Sequence, residues 1–170
     1  MKKLAVAVAA VAAVGAASAT TTALGPVSVG VPVPFSGYSN GPFLDIFTFT
    51  LPANGGSGYS VTDFTLLPAM FNTALTSFAL VSNADGIIGN ADDSVVASAF
   101  AAGADTLSLT YGASAGGNYY LSVSGITSGS QGGIYNGAIS VAAVPEPETY
   151  AMMLAGLGAL GFLASRRRKG

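Results

Sequence analysis

The stretch Phe43-Leu44-Asp45-Ile46-Phe47-Thr48-Phe49-Thr50-Leu51 decides the fold class. Aromatic and β-branched residues dominate it, and Gly and Pro are absent from it. An extended chain sends alternate side chains to opposite faces, so Phe43, Asp45, Phe47 and Phe49 share one face. Similar segments recur outward in both directions: Val27 to Val33, Leu44 to Leu51, Tyr59 to Leu67, Ser77 to Ser82, Ser94 to Phe100, Thr106 to Tyr111, Tyr119 to Ser124 and Ile134 to Val141. Gly, Asn, Asp or Pro clusters separate them, among them Asn54-Gly55-Gly56-Ser57-Gly58 and Ser128-Gly129-Ser130-Gln131-Gly132-Gly133. No helical periodicity persists. About eight short strands at this spacing predict an all-β body, a single β-sandwich of jelly-roll or immunoglobulin-like topology. Leu67 to Leu75 breaks the alternation and is expected to hold one helical turn.

Charge is distributed very unevenly over the 170 residues. All six basic residues, Lys2, Lys3, Arg166, Arg167, Arg168 and Lys169, lie near a terminus. The 125 residues from Thr20 to Val144 contain no Lys, Arg, His, Cys, Glu or Trp, and their acids are Asp45, Asp63, Asp85, Asp92, Asp93 and Asp105. Such a body lacks the groups for a Cys or Ser/His nucleophile, a Schiff-base lysine, an arginine clamp on phosphate or a basic nucleic-acid surface. No nucleic-acid partner is therefore expected. Without disulfides the hydrophobic core must hold the fold alone, which this length permits. Without Lys, the sheet edges are guarded only by Ser, Thr, Gly and Asp, so self-association is expected.

The two ends read as addresses. Met1-Lys2-Lys3, the apolar run Leu4 to Val14, and Ala16-Ala17-Ser18-Ala19 have the three parts of a secretory signal peptide, with cleavage after Ala19. The implied organisation is a signal helix at 1–19, a β-sandwich body at 20–144 and a sorting tail at 145–170, with signal peptidase and the secretion translocon as partners. In the tail, Pro145 and Pro147 enforce an extended chain and Glu146 and Glu148 keep it hydrated. Ala151 to Ala164 forms a short transmembrane helix in this reading; its 14 residues would span roughly 21 Å, against a hydrocarbon core of roughly 30 Å. Arg166, Arg167, Arg168 and Lys169 are the topology anchor, held on the cytoplasmic side by their charge.

Val144-Pro145-Glu146-Pro147-Glu148-Thr149-Tyr150, the Gly/Ala/Leu span and the final Arg-Arg-Arg-Lys resemble the PEP-CTERM sorting signal of exported Gram-negative proteins. The resemblance covers Val144 to Gly170. It implies that Pro145, Glu146 and Pro147 are recognised by a membrane-embedded protease of the exosortase type. That protease would remove the tail, leaving the body at the cell surface or in the extracellular space, in organisms that also make exopolysaccharide. Phe43, Asp45 and Phe47 additionally resemble the N-terminal motif of the FxDxF subgroup of such proteins.

Asp45 poses a physical problem, because its strand face is aromatic and the body has no cation. Such a carboxylate must accept hydrogen bonds, take up a proton, bind a metal or lie at a wet strand end. The last is the simplest, with Asp45 accepting hydrogen bonds from a neighbouring turn. The other concentration of oxygen ligands is Ser82-Asn83-Ala84-Asp85-Gly86-Ile87-Ile88-Gly89-Asn90-Ala91-Asp92-Asp93. Asn83, Asp85, Asn90 and Asp92 are candidate Ca2+ ligands there, although Val81 stands at loop position one and Asp92 replaces the bidentate Glu of an EF-hand. A polar turn between strands accounts for the same composition, and no cofactor is expected to be required.

The expected function is that of a non-catalytic exported surface or matrix protein associated with exopolysaccharide or biofilm. The alternative is a carbohydrate-binding module in which surface tyrosines drawn from Tyr38, Tyr59, Tyr111, Tyr119, Tyr120 and Tyr135 stack on sugar rings.

Overall fold

A computed structural model describes residues 18–65, 67, 69–112, 114–144, 150–158 and 160. The alternating pattern of the Phe43 segment folds into the longest run of strictly alternating burial: Phe43, Asp45, Phe47, Phe49 and Leu51 are buried, while the residues between them are exposed or half-buried. That strand is the third of nine: β1 (Thr21–Pro26), β2 (Val33–Ser39), β3 (Pro42–Leu51), β4 (Gly55–Asp63), β5 (Thr73–Ser82), β6 (Ser94–Ala104), β7 (Thr106–Tyr111), β8 (Gly117–Thr127) and β9 (Gly133–Ala143).

The strands make a five-stranded sheet, β1-β3-β8-β5-β6, and a four-stranded sheet, β2-β9-β4-β7. From β2 to β9 the chain changes sheet at every connection except the β5–β6 hairpin. This is jelly-roll wiring, so the open choice of topology resolves against the immunoglobulin arrangement. β1 is an addition to that plan and lies parallel to β3 along the edge of the larger sheet. The core between the sheets draws on both, with Phe47, Phe78, Leu80, Leu121 and Val123 from the larger sheet meeting Phe35, Val61, Tyr135 and Ile139 from the smaller.

Several strand boundaries differ from the sequence expectation, each for a local reason. Val27 to Val33 is not a strand: it loops from β1 to β2 through a turn at Val29 and Gly30, where Gly30 has φ +78°. The alternating valines and prolines imitate a strand, while the real β2 lies beyond them in a segment interrupted by Pro34 and Gly37. Gly55-Gly56-Ser57-Gly58, read as a linker, is the start of β4, and β4 ends at Asp63 rather than Leu67. A Cβ on Gly55 would come within 2.7 Å of Val141 Cγ1 across the sheet, so glycine here makes room in a ladder rather than breaking one. No described residue is helical in Leu67 to Leu75, where one helical turn is expected: Leu67 has φ +50°, its carbonyl accepts from Met70 N–H at 2.6 Å and Phe71 N–H at 3.3 Å in a plain turn, and Thr73 already begins β5.

The same glycine logic fixes the core aromatics. Gly37 pairs with Tyr135, Gly137 with Phe35 and Gly125 with Phe43 across adjacent strands. A Cβ on these glycines would lie 2.2, 2.1 and 2.7 Å from ring atoms of those partners. Each ring therefore occupies the space over a residue without a side chain. Gly37→Ala is expected to cost about 1–3 kcal/mol in urea unfolding, because the overpacked ring is itself held by its neighbours. Gly58→Ala, whose Cβ would meet only Ser140 Oγ at 3.4 Å, should change stability by less than about 1 kcal/mol.

Candidate functional site

Asp45 is not at a wet strand end. It is 2% exposed, and Tyr135, which faces it from the other sheet, is 0% exposed. Tyr135 reaches it because its ring stacks on Phe43 at 5.2 Å between centroids and 9° between planes, and meets Phe47 edge-on at 6.4 Å and 84°. The phenol then donates to Asp45 Oδ2 at 2.5 Å. The other oxygen, Oδ1, accepts from the Thr20 hydroxyl at 2.6 Å and from the Thr20 backbone nitrogen at 3.1 Å. Thus Phe43, Asp45 and Phe47 act together: two rings orient one tyrosine, and the carboxylate between them receives its proton-bearing end. Burial, followed by the hydrogen bond and negative charge of Asp45, pushes the Tyr135 phenol far above its ordinary value of 10.0. The cluster joins β3 of one sheet, β9 of the other and the residue leading into β1.

The remaining tyrosines do not form the exposed stacking platform that the carbohydrate-binding alternative requires. Tyr59, Tyr119, Tyr120 and Tyr135 are buried, Tyr111 is half-buried, and Tyr38 alone of the six is exposed. Tyr38 donates to Gln131 O at 3.0 Å instead of standing over open sheet. Tyr59, Phe49, Tyr119 and Tyr111 form a chain of ring contacts at 6.1–6.5 Å. Burial pushes Tyr59 up to about 12. Tyr120 reaches about 12 through burial and through its hydrogen bond to the negatively charged Asp93.

The loop from Asn83 to Asp93 spends its oxygens on its own backbone and neighbours. Asn83 Oδ1 accepts from Gly86 N–H at 2.8 Å, Asp85 Oδ1 from Ile87 N–H at 2.8 Å, and Asp85 Oδ2 from the Asn90 amide at 2.8 Å. Asp92 Oδ2 accepts from Asp85 N–H at 3.3 Å, and Asn90 Oδ1 from Asp92 N–H at 3.4 Å. Four of these five are side chain-to-backbone bonds of the kind that shape turns, and the Asn90–Asp85 bond joins two side chains. Among the described residues, no three acidic side chains gather as a metal-binding group. Beside the loop, Asn83, Asn118, Tyr119, Phe49, Pro26 and Thr48 help line an open, mostly apolar groove of about 300 Å³ that carries no ionised group.

Of the residues singled out from the sequence, Pro145, Glu146 and Pro147, Arg166, Arg167, Arg168 and Lys169, and the signal segment up to Ala17 lie outside the described residues. The expected span Ala151 to Ala164 is described in part: residues 150–158 are helical, and Met152, Leu154 and Leu157 on them are 59–75% exposed. Among the described residues, no helix is long and apolar enough to cross a membrane. Sequence reasoning missed Thr20 and Tyr135 as the partners of Asp45. The one available signal was the absence of cations, which left hydroxyls and backbone as the available donors.

Residues 143–169 match the family model of the PEP-CTERM protein-sorting motif. The motif implies an exported chain with a C-terminal anchor processed by exosortase, a membrane protease-like enzyme. Comparison with curated proteins finds no match. Among solved structures, the chain is similar to the pre-peptidase C-terminal domain of a collagenase from Bacillus anthracis, with 18% identity over 71% of this chain and 93% of that one, at a TM-score of 0.38. It is also similar to PliG of Aeromonas hydrophila, a periplasmic inhibitor of g-type lysozyme, with 17% identity over 73% of this chain and 99% of that one, at a TM-score of 0.35.

Tyr135→Phe removes the Oδ2 donor while keeping the ring, and is expected to cost about 1.5–3 kcal/mol in chemical denaturation, since the lost bond is to a charged group. Tyr38→Phe at the surface should stay within about 0.5 kcal/mol. Because Tyr59 and Tyr120 have raised folded-state values, their contribution to stability is full below about pH 10 and is lost as pH climbs toward 12, while that of Tyr135, raised further still, begins to fall above about pH 10 and persists beyond that range. Ultraviolet titration should accordingly show a tyrosine fraction that ionises only together with alkaline unfolding.

Proposed function

We propose that this chain is a non-catalytic exported protein, delivered by an exosortase-type system to the cell surface or extracellular matrix, where it associates with exopolysaccharide or biofilm. The observation that carries the reading is the sorting motif at 143–169, which begins where the last strand ends: β9 runs to Ala143, and Val144 N–H still bonds to Asn54 O at 3.2 Å. A sorting signal so placed delivers the sandwich as cargo. Apolar side chains that stand exposed along residues 150–158 support an environment other than water for that segment.

The partners in this reading are signal peptidase and the translocon during export, the exosortase-type protease during sorting, and extracellular polysaccharide afterwards. Self-association is assigned to β6, an 11-residue edge strand without a charged side chain that exposes Val95 at 48% and Phe100 at 75%. The FxDxF assignment is retained for Phe43, Asp45 and Phe47, with the structural role of closing the two sheets. No catalytic group or required cofactor belongs to the reading. Weak calcium binding at Asn83, Asp85, Asn90 and Asp92 would need the loop to exchange its internal bonds for the ion. Melting temperatures that rise in millimolar calcium for the wild type but not for Asp85→Ala would support that exchange; equal responses would remove it.

The test of the sorting proposal is replacement of Pro145, Glu146 and Pro147 by Ala. Export should continue while the full-length chain accumulates in the inner membrane. Mass spectrometry of wild-type protein from the surface or medium should find no peptide spanning Ala151 to Arg166. Recovery of that peptide in the released protein would replace the sorting reading with a stable anchor.

A further inference from the structure

Asp45 is the one aspartate that is buried among the described residues, and the chain from Thr20 to Val144 offers it no basic side chain. Two of its three donors are hydroxyls, on Tyr135 and Thr20. The third is the backbone nitrogen of Thr20, the residue that follows the expected signal-peptide cut. Hydrolysis of the Ala19–Thr20 amide sends the new carboxylate away with Ala19 and leaves the amine, protonated, on Thr20. A neutral N–H with one hydrogen becomes an ammonium with three, placed 3.1 Å from a carboxylate oxygen.

We infer that Asp45 is the receptor for the α-ammonium of Thr20, so that removal of the leader sets a newly made cation against the buried carboxylate and ties the mature N-terminus to β3 and, through Tyr135, to the opposite sheet. This rests on the exported-protein reading and deepens it. Thr20 is positioned for the role by its other atoms: its hydroxyl lies on Asp45 Oδ1, and its carbonyl accepts from Ile46 N–H at 2.8 Å. The residue is therefore held on both sides of its nitrogen. Cleavage removes the edge bonds that Ser18 makes to Pro42 O and Leu44 N–H, both along the open side of the sheet where water can replace them. The exchange gives up two exposed neutral bonds for a charge-assisted one at the carboxylate.

The groups facing Asp45 are few, which makes the pair readable. From β9 comes the Tyr135 hydroxyl, from β3 the Phe43 and Phe47 rings beside that tyrosine, and from the start of the chain Thr20 itself. The mature body has no lysine, so once the tail is removed its α-amine is its single amine. A neighbouring carboxylate favours the charged amine and raises its pKa above the ordinary value of about 8. The stabilisation is then full below about pH 8 and disappears as pH rises through the bound amine's higher value.

The experiment compares the exported, processed wild type with a chain carrying one extra Ala between Ala19 and Thr20, which restores the amide at Thr20 and moves the ammonium away. Mass spectrometry first identifies the mature terminus. The α-amine of each chain is then titrated by its rate of acylation as a function of pH. The wild-type amine is expected to titrate at least one pH unit higher than that of the extended chain, with acylation well below pH 8 slowed at least about tenfold. The wild type should also melt at a higher temperature, a margin that vanishes at alkaline pH. Asp45→Asn serves as a second variant and should return the amine to ordinary reactivity where it folds. A mature chain that begins elsewhere overturns the cleavage reading and this inference with it. A chain that begins at Thr20 but whose amine reacts like that of the extended chain overturns this inference alone.

Discussion

The fold turns on how a carboxylate can be buried where there is no basic side chain to neutralise it. Desolvating a charge is costly unless hydrogen bonds replace its water. Here Asp45 accepts three, divided over both oxygens, from Tyr135 and Thr20. The donors come from the opposite sheet and from the start of the chain, so satisfying the carboxylate brings together segments 90 and 25 residues away in sequence. A hydrophobic contact would tolerate a slip of either sheet; this arrangement does not, because a one-residue slip of β3 would turn Asp45 outward and present Leu44 or Ile46 to the phenol.

The glycines complement that constraint. In most sheets an interior glycine weakens the strand. In this one, three glycines lie beneath the rings of Phe35, Phe43 and Tyr135, and the rings fill what the missing side chains leave. Two of those rings belong to the Asp45 cluster itself. Gly37 lets the Tyr135 ring lie across β2, and Gly125 lets Phe43 lie across β8, which brings both rings into the stack that aims the phenol. A glycine-rich composition, which suggests looseness, thus accompanies a tightly determined core without a disulfide.

Much of this was legible in the sequence, and the failures have physical causes. The alternation of β3 puts Asp45 on the same face as Phe43, Phe47 and Phe49, as the structure has it, but the wet strand end expected for its carboxylate is not there; β7 falls on Thr106–Tyr111 as expected. Local alternation failed at Val27 to Val33, where valines alternate without a neighbouring strand to pair them, and at Gly55 to Gly58, where pairing partners exist that the local sequence does not reveal. The surface tyrosines that the carbohydrate-binding alternative requires are absent from the body for a related reason, apart from Tyr38. A Tyr in a strand has the same local signature whether it faces core or solvent, and only the opposite sheet decides. The loop at Asn83 to Asp93 shows the limit from the other side: its oxygens were correctly located, but whether they point at an ion or at their own amides is a matter of backbone geometry that spacing does not carry.

The position of β9 links the fold to the sorting signal. It is an interior strand, paired with β2 on one side and β4 on the other, and it is the last strand of the body. The smaller sheet cannot close until β9 is present, since among the described residues β2 has no other strand partner and pairs with residues about a hundred positions away. Contacts of such separation form late, after the loop-closure entropy has been overcome. Chain export from the N-terminus delivers β9 immediately before the sorting motif. The second sheet, and with it the Tyr135 phenol that completes the bonding of Asp45, therefore closes only when the last strand of the body is present. Pro145 follows Val144 directly and brings no N–H with which a ladder could be extended. The last residues of the sandwich, Ala143 and Val144, are thus also the first residues of the sorting motif, so the element that ends the fold is the one that begins the signal.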